Sequence, residues 1–128
     1  MGDKSTIILK KLLSHIAKIE EYSGACDSFE NFSKNSLVIE ACVFNLGQMG
    51  ELVKRLDDSF TSSRPDIPWR GLYGLRNRII HDYEGVNFSR IWEIIRDDLP
   101  DLKLRLDELL TKYENGQGGK SDGEDQGC

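Results

Sequence analysis

Histidine and cysteine are scarce in this chain, and the shortage removes whole classes of chemistry. Of 128 residues only two are His and three are Cys. Cys26, Cys42 and Cys128 are odd in number and far apart, with neither the spacing of a zinc site nor that of a disulfide framework. Reduced thiols, no metal and no cofactor are the expectation. The start, MGDKSTIILKKLL, has too short an apolar run and the wrong charge order for a signal peptide. No stretch approaches the ~18 apolar residues of a membrane span, so a cytoplasmic protein without a membrane partner is expected. No internal repeat is visible. Positive charge is also in deficit, at a formal −5, which gives no general nucleic-acid footprint. The imbalance is local: Glu114, Asp122, Glu124 and Asp125 face Lys120 alone near the end. Between Arg64 and Arg96 the six basic residues are all Arg, the side chain better suited to bidentate phosphate binding.

What is present is helical periodicity. With 38% apolar residues the chain can build one modest core, hence one domain. Ile7, Ile8, Leu12, Leu13, Ile16 and Ile19 predict an amphipathic helix over about 5–22, stopped by Gly24, with His15 beside its apolar stripe. Asp27 or Ser28 caps a short turn whose Phe29 and Phe32 plug one end of a bundle. Asn35 or Ser36 opens a second long helix to about Phe60, carrying Cys42 as a buried small thiol and Gly47 and Gly50 as signs of close helix approach, either within the chain or at a subunit contact. Two prolines in SSRPDIP break the helix. Trp69 opens the next, with Leu72, Leu75 and Ile79 facing the core and the Glu84-Gly85 pair at its end. From an Asn87 cap onward, Phe88, Ile95, Leu102 and Leu109 form one heptad row and Trp92, Leu99, Leu106 and Tyr113 another, bent at Leu99-Pro100. The architecture is all-α: a four-helix bundle with additional short helices over 1–113, and a disordered acidic, Gly-rich tail over 114–128.

The reactive side chains gather in RGLYGLRNRIIHDYEGVNF, Arg70 to Phe88. Four residues separate Arg76 from His81, and Tyr83 follows two after His81. At ~100° per residue Arg76 and Tyr83 share a face, while Arg76 and His81 lie about 140° apart. Convergence of the last two needs Arg76's reach, a helix ending near His81, or a second copy across a symmetry axis. Asn77, one turn before His81, is placed to hydrogen-bond its ring. The plainer alternative is an Arg76 paired with Asp82 or Glu84 and a His81 that complements a helix dipole. A metal-dependent His-Asp phosphohydrolase would need several further ligands, and only His15 remains.

The Arg-x4-His-x-Tyr pattern, RNRIIHDY, together with the run from IPWRGLYGL through DDLPDLKLRL and with NLGQMGELVKRL, resembles the HepT-like toxins of the HEPN helical superfamily. The resemblance covers the chain up to about Tyr113. It implies a HEPN-type bundle working as a homodimer, with two motif helices meeting at a cleft. It further implies the toxin of a toxin–antitoxin system, a metal-independent endoribonuclease with Arg76 and His81 catalytic and Asn77 supporting. Glu51 recurs in the family pattern and is a candidate for a polar contact to the motif helix. Tyr83 matches the tyrosine that an MntA-like nucleotidyltransferase antitoxin adenylylates, so RNA, that antitoxin and a second copy are the implied partners. The other reading of the same face is a non-catalytic subunit that binds nucleotide or docks a nucleotidyltransferase.

Overall fold

The apolar stripes become the buried seams of a helical bundle in the computed structural model, which describes residues 4–84 and 87–118. Helix α1, Lys4–Ser23, buries Ile8, Leu9, Leu12, Ile16 and Ile19 on one face and ends where the Gly24 N–H donates to the Glu20 carbonyl. Helix α2, Phe29–Ser33, is capped by Ser28, whose hydroxyl accepts from the Asn31 N–H. Only Phe32 plugs this end, against Trp92 at 4.8 Å; Phe29 stays exposed.

Helix α3, Ser36–Val53, begins as expected, with the Asn35 side chain accepting from the Val38 N–H at 3.1 Å. By length and composition alone it could cross a bilayer, with mean hydropathy 1.2. Here it is the central core helix, packed on α1 on one side and on the motif region on the other. Its polar residue in the seam, Asn45, is fully used: Nδ2 donates to the Ala41 carbonyl at 2.8 Å, and Oδ1 meets His15 Nδ1 at 2.7 Å. His15 is thus a seam histidine. Cys42 is buried as well, and that burial, with Cys26 near it, pushes its thiol up to about 12. A thiol held neutral in this way is a packing group, not a nucleophile.

The second long helix stops at Val53, short of Phe60. Arg55 and Leu56 N–H groups donate three residues back, to Leu52 and Val53, tightening the chain so that Leu56 turns inward. Helix α4, Asp58–Ser62, restarts from there and aims Phe60 at Trp69 and Tyr113, with centroids 6.2 and 5.6 Å away. The proline break that follows is tied down. Trp69 Nε1 donates to the Arg64 carbonyl, Arg64 grips Asp66 through two 2.8 Å bonds, and Arg105 reaches the same carboxylate at 3.1 Å. The Arg64 hydrogen bond, seconded by Arg105, holds the Asp66 carboxyl well below the usual range.

One motif helix was expected from Trp69; there are two, α5 at Trp69–Tyr73 and α6 at Leu75–Glu84, jointed at Gly74. Leu72, Leu75 and Ile79 still face the core across the joint. The joint sits where the chain presses on α3: a Cβ on Gly50 would lie 3.0 Å from the Leu72 carbonyl oxygen and 3.1 Å from the Arg76 nitrogen. The close approach is therefore within the chain. Gly85, half of the expected helix stop, lies outside the described residues.

The last long element is α7, Phe88–Glu93, a π-helical turn at Ile94–Asp98, and α8, Leu99–Gly118. Asn87 stands at the cap position but its side chain makes no cap bond. Pro100 explains the π turn. It has no N–H for the Arg96 carbonyl and its ring would clash there, so the helix widens just before it and the Leu99 N–H donates to Ile94. The widening shifts the register, and Ile91 and Ile94 join the buried stripe outside the two predicted heptad rows. Helix α8 passes Tyr113, the expected domain boundary; residues 119–128, Cys128 among them, lie outside the described residues. Among the described residues there is no strand, and the all-α bundle with short additional helices stands.

The two glycines of α3 separate cleanly by substitution. Gly50→Ala should lower Tm by roughly 5 °C, because the new methyl meets backbone that cannot step aside. Gly47→Ala should leave Tm unchanged or raise it, since its Cβ would meet only the Arg76 Cγ at 3.7 Å and alanine favours helix by about 1 kcal/mol. Equal losses in thermal melts would remove the backbone contact as the cause.

Candidate functional site

Arg76 stands in the first turn of α6, and the small residues of α3 give its stem room. Its Cγ passes over Gly47, and its Nη1 lies 3.7 Å from Glu51 Oε2. Glu51 therefore does reach the motif helix. At 3.7 Å the contact is an ion pair and not a hydrogen bond, and the Arg76 side chain remains 54% exposed. A phosphate offering bonds near 2.8 Å would outcompete it. The alternative acids, Asp82 and Glu84, have side chains outside the described part of the structure.

Seven residues on, Tyr83 lies on the same side of α6, as the periodicity required. Its ring is half-buried against Phe88, centroids 5.8 Å apart, and its hydroxyl donates to Glu40 Oε2 at 3.1 Å. That hydrogen bond, helped by desolvation and by the Glu40 charge, raises the phenol above its ordinary pKa. Two carboxylates of α3 thus address two side chains of α6, Glu40 to Tyr83 and Glu51 to Arg76. The helices run antiparallel along this contact.

His81 is exposed, and the ~100° step of helix α6 sets it about 140° round from Arg76. Among the described residues no hydrogen bond joins it to Arg76, and Asn77 makes none to its ring; Asn77 is itself exposed. Helix α6 continues past His81 to Glu84, so the helix does not end where an end would bring the two together. One chain presents Arg76 and Tyr83 on one side and His81 on another.

Enclosed space lies elsewhere. A cavity of about 400 Å³ opens between the α5–α6 joint and the π turn, with Arg78 and the carboxylates of Asp97, Asp98 and Asp101 at its polar rim. It contains none of Arg76, His81 and Tyr83. The arginines predicted to favour phosphate divide as well: Arg64 is committed to Asp66, and Arg96 covers the Trp92 ring at 5.0 Å. Among the described residues no group of three or more His, Cys, Asp or Glu is arranged to hold a metal.

The residues that build this arrangement fall inside a known family: residues 12–109 match the family described as Ribonuclease HepT-like. The chain belongs to the HepT-like ribonuclease family. A protein named "Putative RNase" in Caldanaerobacter subterraneus subsp. tengcongensis is 39% identical over 73% of this chain and 82% of its own length. One of the same name in Methanocaldococcus jannaschii is 32% identical over 68% of this chain and 72% of its own. "Probable ribonuclease HepT" of Thermococcus cleftensis is 31% identical, covering 79% and 91% respectively. No solved structure matches.

Within this HepT-like chain, sequence reasoning passed over Glu40. A signal was there: Glu40 and Glu51 are eleven apart, three helical turns, so they share a face as Arg76 and Tyr83 do. Glu40→Ala, which removes the acceptor and the charge together, should bring the Tyr83 phenol back down toward the ordinary tyrosine value of about 10. Ultraviolet titration, with Tyr83→Phe subtracted, reads it. A Tyr83 transition that stays in place in Glu40→Ala would show that Glu40 is not what raises it.

Proposed function

We propose that the chain is a cytoplasmic, metal-independent endoribonuclease, the toxin of a toxin–antitoxin pair, acting as a homodimer in which Arg76 and His81 of two copies share one cleft. The observation that carries this reading is that both side chains are exposed on α6 yet diverge within one chain. A two-fold axis beside the helix brings two copies of each together.

In such a cleft one His81 imidazole takes the proton of the RNA 2′-hydroxyl as its oxygen attacks the adjacent phosphorus. The P–O5′ bond breaks, and the His81 imidazolium of the other copy gives its proton to the departing oxygen, leaving a 2′,3′-cyclic phosphate and a 5′-hydroxyl. Imidazoles titrate near neutrality, which suits both roles. Arg76 supplies fixed positive charge where the phosphorane gathers negative charge. Asn77, exposed one turn before His81, supports by contacting substrate or ring once the cleft is filled.

Tyr83 is the proposed switch, adenylylated by an MntA-like nucleotidyltransferase. Its oxygen attacks the α-phosphorus of ATP, pyrophosphate leaves, and the phenolic proton passes to Glu40, which already accepts it at 3.1 Å. The attached phosphodiester then lies on the Arg76 side of α6 and competes with RNA by charge and bulk.

Purified wild type should cut single-stranded RNA with EDTA present, and a strand with 2′-deoxyribose at the cut position should resist. Arg76→Ala and His81→Ala should each abolish cleavage with Tm nearly unchanged, as exposed groups allow. Cleavage that survives either substitution removes that residue from the catalytic site. Co-expression with a neighbouring nucleotidyltransferase should add adenylyl mass to wild type but not to Tyr83→Phe; full neutralisation of Tyr83→Phe would remove Tyr83 as the switch.

A further inference from the structure

A second surface, continuous with Arg76, is assigned no role by the mechanism above. Beyond Glu51, the end of α3 and the start of α4 form with α5 a groove of about 410 Å³, within the range of small-ligand sites. Val53, Leu56 and Trp69 give it an apolar wall; Lys54, Arg70 and Tyr73 give it a cationic and aromatic edge. Tyr73 is 56% exposed, which leaves a large aromatic side chain open to solvent beside the groove. Lys54 Nζ stands 5.5 Å from the ring centroid. The same ammonium lies 3.2 Å from Glu51 Oε2, the oxygen that Arg76 approaches at 3.7 Å. One carboxylate oxygen therefore links the groove to the arginine of the motif.

We propose that this groove binds one nucleotide of single-stranded RNA beside the scissile phosphate, with Tyr73 stacking the base and Lys54 and Arg70 taking a phosphate. The assignment rests on the ribonuclease reading. Its chemistry is that of sequence-tolerant single-strand binding, in which an exposed aromatic platform stands beside cations that follow the backbone. A base presents a π-face to Tyr73 while its phosphate meets the cations, and the strand then continues toward Arg76. Asp58, on the α4 side, sets the opposite limit. Its charge repels the next phosphate, so the groove accepts one nucleotide and directs the strand toward the motif. Double-stranded RNA, whose bases remain stacked in pairs, cannot offer a face to Tyr73.

The test uses a fluorescein-labelled single-stranded oligoribonucleotide of mixed sequence, with the His81→Ala protein for anisotropy and the otherwise wild-type protein for cleavage. Tyr73→Ala should weaken binding about tenfold and raise KM with little change in kcat. Tyr73→Phe and Tyr73→Trp, which keep a stacking face, should stay within about twofold of the parent. An abasic position at the groove nucleotide should erase the difference between Tyr73 and Tyr73→Ala. If Tyr73→Ala matches the parent in affinity and KM while Arg76→Ala still abolishes cleavage, the groove assignment falls and the ribonuclease reading stands. If Tyr73→Phe loses as much as Tyr73→Ala, stacking is not the cause and the assignment also falls. A parent protein that neither binds nor cuts the strand overturns both. A Tyr73→Ala protein that binds RNA normally but no longer associates with a nucleotidyltransferase makes the groove a protein-docking surface instead.

Discussion

At Gly50 the backbone of α3 meets the backbone of the α5–α6 joint, leaving 3.0 Å where a side chain would begin. Helices come this close only where one of them gives up its Cβ, and close approach fixes position more tightly than side-chain interdigitation does. Everything that matters for the site is measured from this point. Arg76 contributes its own nitrogen to the contact, so its stem leaves the backbone at a place set by α3. Gly47, one turn back, clears the way for that stem. Glu51, next to Gly50, then stands beside the guanidinium. The Gly74 joint lets α5 and α6 follow the surface of α3 while Leu72, Leu75 and Ile79 stay buried on both sides of it.

The charges along this contact are arranged in rows. Glu40 and Glu51 project from α3 toward Tyr83 and Arg76 of α6, and Lys54 extends the row toward Tyr73. The pairs are long or exposed, so they orient side chains without tying them up. Groups held in this way remain available to a phosphate. The interior, by contrast, leaves little open: Asn45 has two partners, and Cys42 is neutral and inaccessible. The exposed and lightly held polar groups lie on the outer face of α6 and its neighbours.

Much of this was legible in the residues. The stripes of α1, α3 and α8, the Ser28 and Asn35 caps, the seam position of His15 and the buried thiol of Cys42 follow from periodicity and residue type. The glycine pair of α3 announced a close approach, though not which element made it. Other features depended on contacts that are remote in sequence. The early end of α3 is set by Phe60 turning toward Trp69 and Tyr113, and no local signal marks it. The Gly74 joint answers to Gly50, more than twenty residues away. Pro100 predicted a bend; the structure shows that the chain answers the missing N–H with a π turn one step earlier. At the site, the shared face of Arg76 and Tyr83 and the divergence of His81 were both readable, whereas Glu40 as the acceptor for Tyr83 emerged only from the pairing of α3 with α6.

The divergence of Arg76 and His81 is the fact that a functional account must answer, and the proposed answer is that two chains make one site. Mixing experiments address it directly. Wild-type protein is denatured and refolded with increasing amounts of His81→Ala, so that subunits exchange at random, and RNA cleavage is followed per wild-type chain. If each cleft needs an imidazole from both copies, activity per wild-type chain falls in proportion to the wild-type fraction, because mixed dimers are dead. Activity per wild-type chain that stays constant through the whole titration would contradict the account, since each chain would then carry a complete site of its own.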